Sequence, residues 1–292
     1  MSIHVGQVES VTRTFSQRDF DRFAVLSGDD NPIHVDPAFS ARTRFGATVA
    51  HGMLLYGAVC GVLGTRLPGP GTMQLEQELM FPSPTYAGEE TIIRLEVTEV
   101  HPSQGLAELI TLVVRPNENL GLQGRTLVQL PGKVRERTPR PRPAVPVPAS
   151  APSPSLKGLA VGQRAQTRRV FTMEDLDAYA DLTADVNPVF TNPDYARRVG
   201  LDGPMVPGSL LGGMFSYLLG TELPGRGTNY LKQRLVFPTA AYPAEELTAT
   251  VEITRLRPEK ELVNLRTVCT NPAGDAVCRG EALVLVRDVE GR

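Results

Sequence analysis

His34 follows Asp29 by five positions with Asn31-Pro32 between them, and a second histidine, His51, stands immediately before Gly52 and an apolar run. A carboxylate and an imidazole that share one water form a general base and a general acid working near neutral pH. Asn-Pro marks a turn and biases the residue before proline away from helix, so both side chains lie on an irregular loop where they can converge. Taken alone, the spacing also fits an ordinary loop hydrogen bond. The flanking elements decide what such a pair faces.

Upstream, Phe15-Ser16-Gln17-Arg18-Asp19-Phe20 reads as a helix start. Ser16 is the N-cap, Asp19 its capping-box partner, and Phe15 against Phe20 a hydrophobic staple. The helix runs to about Leu26 with Phe20, Phe23, Ala24 and Leu26 on one face. A short helix is expected near Pro37–Thr43. Downstream, Gly52–Gly64 is apolar nearly all round, as in a buried helix. Its glycines are expected to admit the close approach of a wrapping sheet. Beyond it the period changes to two: Met73, Leu75, Leu79 and Phe81 alternate with Gln74, Glu76 and Glu78. Ile92–Val100, Leu106–Val114 and Leu120–Leu130 supply three more strands. One buried helix followed by a strand meander predicts an α+β fold with an antiparallel sheet curled round the helix.

The string GDDNPIHVDPAF, followed by VAHGMLL, resembles the signature of the MaoC-like, (R)-specific enoyl-CoA hydratases, a hotdog-fold family. Gly28, Asp29, Asn31, Pro32, Ile33, His34, Asp36, Pro37, Phe39, His51, Gly52 and Met53 fill the family pattern, and a looser likeness extends over Val5–Leu130. The resemblance implies reversible syn addition of water to a trans-2-enoyl thioester. It assigns Asp29 and His34 to the water and to the proton exchanged at C2. The backbone N–H of Gly52 is expected to receive the negative charge of the thioester oxygen, because a helix N-terminus presents unsatisfied N–H groups. Asn31 and Gly28 are read as shaping the loop. His51 is either a hydrogen-bonding support or simply packed, and Cys60 is a pocket or core residue rather than a nucleophile.

The chain repeats itself. An offset of 156 carries Val5-Gly6-Gln7 onto Val161-Gly162-Gln163, Asn31-Pro32 onto Asn187-Pro188 and Phe81-Pro82 onto Phe237-Pro238. A constant register over about 130 positions points to duplication of a whole domain. The expected organisation is a first hotdog domain over 1–134, a proline-rich linker over 135–156 and a second hotdog domain over 157–292, packed as a pseudo-dimer. Arg135–Ser155 holds seven prolines in 21 residues, which favours extended polyproline II reaching on the order of 60 Å. The second copy lacks the imidazole: Asp29 maps to Asp185 and Asn31 to Asn187, but His34 maps to Phe190 and His51 to Pro207. All four histidines lie in the first copy. The duplicate is therefore expected to complete the sheet and wall the acyl tunnel. Double-hotdog hydratases of eukaryotic peroxisomes are similar, although there the competent half comes second.

Composition narrows the remaining choices. A formal charge of −2 gives no footprint for nucleic acid or an anionic membrane, and no 18-residue apolar run is present. The three cysteines have no metal-ligand spacing to the histidines; no metal and no cofactor is expected, the thiols are expected free, and the expected location is cytoplasmic. The resemblance implies an acyl-CoA or acyl-carrier-protein thioester as the partner, with a further homodimer left open. Arg42, Arg44, Arg197 and Arg198 are read as a solvated face in preference to phosphate contacts. Two rival readings remain: a dehydratase acting on carrier-protein-bound 3-hydroxyacyl chains, and a non-catalytic acyl-thioester binding or partner subunit.

Overall fold

The computed structural model describes residues 3–132 and 156–289; the proline-rich segment expected over 135–156 lies outside the described residues except for Leu156. Each copy begins with an edge strand, β1 (Val8–Thr14) and β6 (Arg164–Val170), followed by α1 (Gln17–Ser27) and α5 (Met173–Thr183). Two one-turn helices follow in each copy, α2 (Pro32–Val35) and α3 (Pro37–Ser40), then α6 (Pro188–Thr191) and α7 (Pro193–Arg198). The central helices are α4 (Gly52–Thr65) and α8 (Gly208–Tyr217), the latter prolonged by a π-turn over Leu218–Glu222. Four strands close each copy: β2 (Met73–Met80), β3 (Glu90–His101), β4 (Leu106–Val114) and β5 (Leu120–Gln129), then β7 (Asn229–Val236), β8 (Glu246–Arg257), β9 (Leu262–Thr270) and β10 (Ala276–Leu285). Every strand of the second copy has the bounds of its counterpart shifted by 156, and the bulge in β3 at Val97/Glu99 recurs in β8 at Ile253/Arg255.

All ten strands form one antiparallel sheet in the order β1-β3-β4-β5-β2-β7-β10-β9-β8-β6. The copies join where β2 pairs with β7, in register at Glu78 and Arg234, which the offset relates to each other. The central helices pack together inside the curl, and a single apolar cluster runs from Phe20, Met53 and Leu63 in one copy to Leu210, Phe215 and Val251 in the other. This is a tandem hotdog arrangement closed as a pseudo-dimer. The capping box of Ser16 and Asp19 is present, and Thr172 with Asp175 repeats it.

Three local expectations need correction. The edge strands β1 and β6 were not anticipated: neither has a buried residue along its length, so neither carries the apolar period that identifies a strand. In β2 a bulge between Gln74 and Glu76 breaks the alternation, leaving Leu75 half-buried and Gln77 fully enclosed. The glycines of α4 admit the other copy rather than the sheet. A Cβ on Gly57 would meet the Thr183 side chain at 2.8 Å, and one on Gly61 would meet the Thr183 carbonyl at 2.5 Å.

On the outer face, one register line of charged residues crosses seven of the ten strands. From β5 to β6 it reads Arg125, Glu78, Arg234, Glu281, Arg266, Glu252, Arg164, alternating in sign across seven strands. Arg266 and Arg164 both reach Glu252, at 2.7 and 3.1 Å, and Arg234 bonds diagonally to Glu76 at 2.7 Å. Directly opposed unlike charges support pairing, and like charges oppose it. Arg234→Glu would face Glu78, Glu281 and Glu76 at the junction of the copies. It is expected to lose about 1–2 kcal/mol of stability beyond Arg234→Gln, with the difference shrinking in molar salt. Urea unfolding of the two variants checks this; equal losses would mean that the ladder carries no charge pairing.

Candidate active site

Gly28 ends α1 in the left-handed region at φ 81 and turns the chain into the loop; its N–H donates to the Ala24 carbonyl at 2.8 Å. Ser27, at the same end, accepts the Asp29 N–H at 3.2 Å on its hydroxyl. Asn31 then caps α2 and is clasped by the other copy. Its side-chain oxygen accepts from the Gly227 N–H at 3.1 Å, and its amide donates to the Thr228 carbonyl at 3.1 Å. Asn31 thus ties the loop to the other copy, and it also lines the cavity beside Asp29 and His34. The mirror-image loop is held the same way, with Asn187 bonded to Gly71 and Thr72 at 2.9 and 2.8 Å.

Asp29 and His34 are both buried and converge: one donor atom each of Asp29, His34 and His51 lies within 4.8 Å of the others. The Asp29 carboxylate accepts the Ser216 hydroxyl at 2.5 Å and the Asn31 N–H at 3.3 Å. His34 Nδ1 lies 2.7 Å from the Val49 carbonyl and His51 Nε2 lies 2.9 Å from the Asp29 carbonyl. A carbonyl only accepts, so these nitrogens carry the protons and His34 Nε2 keeps its lone pair. The two rings stack with centroids 3.8 Å apart. Burial pushes His34 below the ordinary histidine range, against the Asp29 carboxylate, and pushes His51 well below it with His34 adding to the effect. His51 is therefore both packed and hydrogen-bonded, and it holds the ring of His34.

A cavity of about 160 Å³ opens beside the pair, lined on the first copy's side by Gly52, Leu55 and Phe81 among others. Gly52 begins α4, and its N-cap, His51, makes no side-chain capping bond, so the helix's first N–H groups are left for a ligand. The glycine has a further cause: a Cβ there would strike the Phe81 ring at 2.6 Å. Arg44 stands at the rim, partly exposed and 3.9 Å from Asp288, whereas Arg197 pairs with Asp194 and Arg42 and Arg198 lie over Phe39 and Tyr195.

Sequence reasoning named no second-copy residue of the site, yet Ser216, Leu219, Gly220, Thr228 and Tyr230 all line the cavity. A Cβ on Gly220 would meet Asp29 Oδ1 at 2.8 Å, so only glycine lets α8's extension lie against the Asp29–His34 loop. The available signal was the offset itself, which maps Ser216 onto Cys60 and Gly220 onto Gly64.

Cys60 is not in this pocket. It lines the mirror cavity, about 20 Å³, with Asp185, Asn187 and Phe190. Burial and then the Asp185 carboxylate push its thiol well above the ordinary value, so it is no nucleophile. Cys269 and Cys278 are buried, free and paired across β9 and β10.

Asp185 shows what the mirror site retains without its imidazole. It is 1 % exposed, and burial pushes its carboxyl up to about 7, against the Asn187 N–H and the Tyr179 hydroxyl. The folded state therefore binds a proton that the unfolded chain releases near 3.8. This contribution is fully present below that value and is lost as pH rises toward and through about 7. Asp185→Asn is expected to remove that slope, being more stable than wild type at pH 8 by a margin on the order of a few kcal/mol, and by a smaller margin at pH 5. Thermal unfolding across pH 5–8 checks it; parallel curves would rule the effect out.

Comparison with known proteins agrees with this geometry. The protein-family model described as "MaoC like domain" matches residues 3–116. The (R)-specific enoyl-CoA hydratase of Aeromonas caviae is 38% identical over 130 residues, 44% of this chain and 97% of that protein. The 3-hydroxybutyryl-CoA dehydratase of Methylorubrum extorquens is 38% identical over 131 residues, 45% of this chain and 83% of that protein. Both relatives are named as hydro-lyases. A solved "MaoC-like dehydratase" superposes with a TM-score of 0.77 at 16% identity, covering 96% of this chain and 98% of its own. A Mycobacterium tuberculosis protein described as a double hotdog fold gives 0.73 at 17% identity, covering 97% of each chain. The fold is shared along the whole length, the sequence likeness lies in the half that holds Asp29 and His34, and the chain belongs to the MaoC-like family.

Proposed function

We propose that the protein hydrates trans-2-enoyl-CoA reversibly to (3R)-3-hydroxyacyl-CoA, with one water held between Asp29 and His34. The observation that carries this reading is the convergence of a buried carboxylate and a neutral imidazole on a cavity at the uncapped start of α4. His34 Nε2 accepts a proton from the water as its oxygen adds to C3. The Asp29 carboxylate, fixed by Ser216, holds the water's other hydrogen and favours the imidazolium that forms. That imidazolium returns its proton to C2 on the same face, which gives syn addition and restores the site. Negative charge on the thioester oxygen is met by the N–H of Gly52 and the dipole of α4. In elimination, His34 takes the C2 proton and the hydroxyl leaves with it. The second copy walls the pocket and supplies Ser216; with Phe190 in place of the imidazole, it runs no such chemistry of its own.

The relatives' names support the hydratase direction, and the R-specificity comes from the same source. A mitochondrial 3-hydroxyacyl acyl-carrier-protein dehydratase of Arabidopsis thaliana, 31% identical over 135 residues, favours a second reading in which the acyl group rides on a carrier protein. Crotonyl-CoA and crotonyl carrier protein assayed side by side separate the two.

His34→Ala is expected to lower kcat for crotonyl-CoA hydration by at least about 10²-fold; an unchanged rate would remove the catalytic assignment. Ser216→Ala, which frees the Asp29 carboxylate, is expected to lower kcat more than it raises KM, with Ser216→Thr recovering part of the loss. Because His34 must be neutral to accept a proton and its value lies below 6.5, kcat/KM is expected to hold steady through pH 7 and to fall on acidification only below 6.5. A rate–pH profile with an acid limb above 6.5 would contradict the assignment.

A further inference from the structure

The cavity's size and one side chain from the second copy bear on which acyl group it takes, an inference that rests on the hydratase reading. Tyr230, near the start of β7, lines the cavity, with its ring 5.7 Å from that of Phe81. Its hydroxyl donates to the side-chain oxygen of Gln233. The Gln233 amide in turn donates to the Arg234 carbonyl at 2.6 Å and to the Thr267 hydroxyl at 3.1 Å. Gln233 and Thr267 are both buried on the inner face of the sheet. The ring is therefore tied at its far end to Gln233 of its own strand and through it to Thr267 of β9, and it cannot swing aside without leaving buried polar groups unpaired. The same polar chain exists in the first copy through Gln77 and Thr111. There the position of Tyr230 is taken by Gln74, whose amide donates to Gln77 at 3.2 Å and whose side-chain oxygen accepts from Tyr56 at 2.9 Å and Cys60 at 3.2 Å. The anchored aromatic floor belongs to the competent pocket alone.

An apolar cavity of about 150 Å³ holds one benzene, about six heavy atoms. The enoyl carbons of a crotonyl thioester, its carbonyl oxygen and the attacking water come to about the same number. The cavity of about 160 Å³ is thus matched to a four-carbon acyl group, and each further methylene must displace Tyr230 or remain outside. We infer that Tyr230 is the specificity-determining floor of the acyl pocket and that it restricts the protein to short-chain enoyl thioesters.

The test compares crotonyl-CoA with trans-2-octenoyl-CoA. Wild type is expected to favour crotonyl-CoA by at least about 10-fold in kcat/KM, the scale on which an apolar pocket rejects added methylenes. Tyr230→Ala is expected to narrow that ratio by a further factor of about 10 or more, while Tyr230→Phe, which keeps the ring, preserves the ordering. Tyr230→Leu reports the same ratio if the alanine variant does not fold. Calorimetric binding of butyryl-CoA and octanoyl-CoA to wild type and Tyr230→Ala gives a readout without turnover. A butyryl preference that Tyr230→Ala abolishes, in a protein that hydrates neither enoyl thioester, would uphold the pocket floor and overturn the hydratase reading alone. Wild type acting equally well on both chain lengths, or a ratio unmoved by Tyr230→Ala, would overturn the inference.

Discussion

The fit of each copy's Asp-containing loop against the other copy's central helix is the constraint on which the rest depends. Asn31 is bonded to Gly227 and Thr228, Asp29 to Ser216, and Gly220 leaves no room for a Cβ beside them. These are buried polar groups, and each takes part of its hydrogen bonding from across the pseudo-two-fold. A buried polar group left unpaired costs more than a hydrogen bond gains, so the loop's shape depends on the partner copy being in place. Half of this protein would not hold Asp29 where the whole chain holds it. Duplication within one chain makes that partner permanent, and the shared apolar core and the β2–β7 junction fix its position.

Once the partner is permanent, the two sites are free to diverge. The first keeps an open cavity with two stacked neutral imidazoles behind it. The second substitutes Phe190 for the ring and closes down to about the space of one water. The carboxylate is retained in both, but its surroundings differ. Asp29 accepts a hydroxyl from Ser216, while Asp185 has a thiol, Cys60, at the corresponding place and is pushed up to about 7 by burial. A carboxyl that is largely neutral below about 7 needs less compensation for its burial there, which is how an acid is accommodated in a site that lacks the imidazole. The buried histidines pull the other way: their values lie below 6.5, so their contribution is complete above it and declines as pH falls through their lowered values.

Much of this was legible in the residues. The Asp29-x4-His34 loop, the capping box of Ser16, the apolar helix from Gly52 and the constant offset of 156 are local or periodic signals, and each is set by a short stretch of chain. The edge strands escaped because Val8–Thr14 and Arg164–Val170 bury neither face and so carry no apolar period. The bulge at Gln74/Glu76 interrupts the expected alternation locally, leaving Leu75 half-buried, whereas Met73 and Leu79 are buried and Glu78 is exposed as the alternation implies.

The sequence by itself determined the chemistry-bearing loop, the duplication and the loss of the imidazole from the second copy, because residue identity and spacing along the chain specify those directly. Only the tertiary structure decided that Ser216, Gly220 and Tyr230 belong to the site of the first copy, that Cys60 belongs to that of the second, and that Gly57, Gly61 and Gly64 of α4 face the end of α5 and the loop after it instead of a sheet. Those relations join residues more than 100 positions apart. They follow from the crossing of two helices about a pseudo-two-fold, which no local pattern encodes.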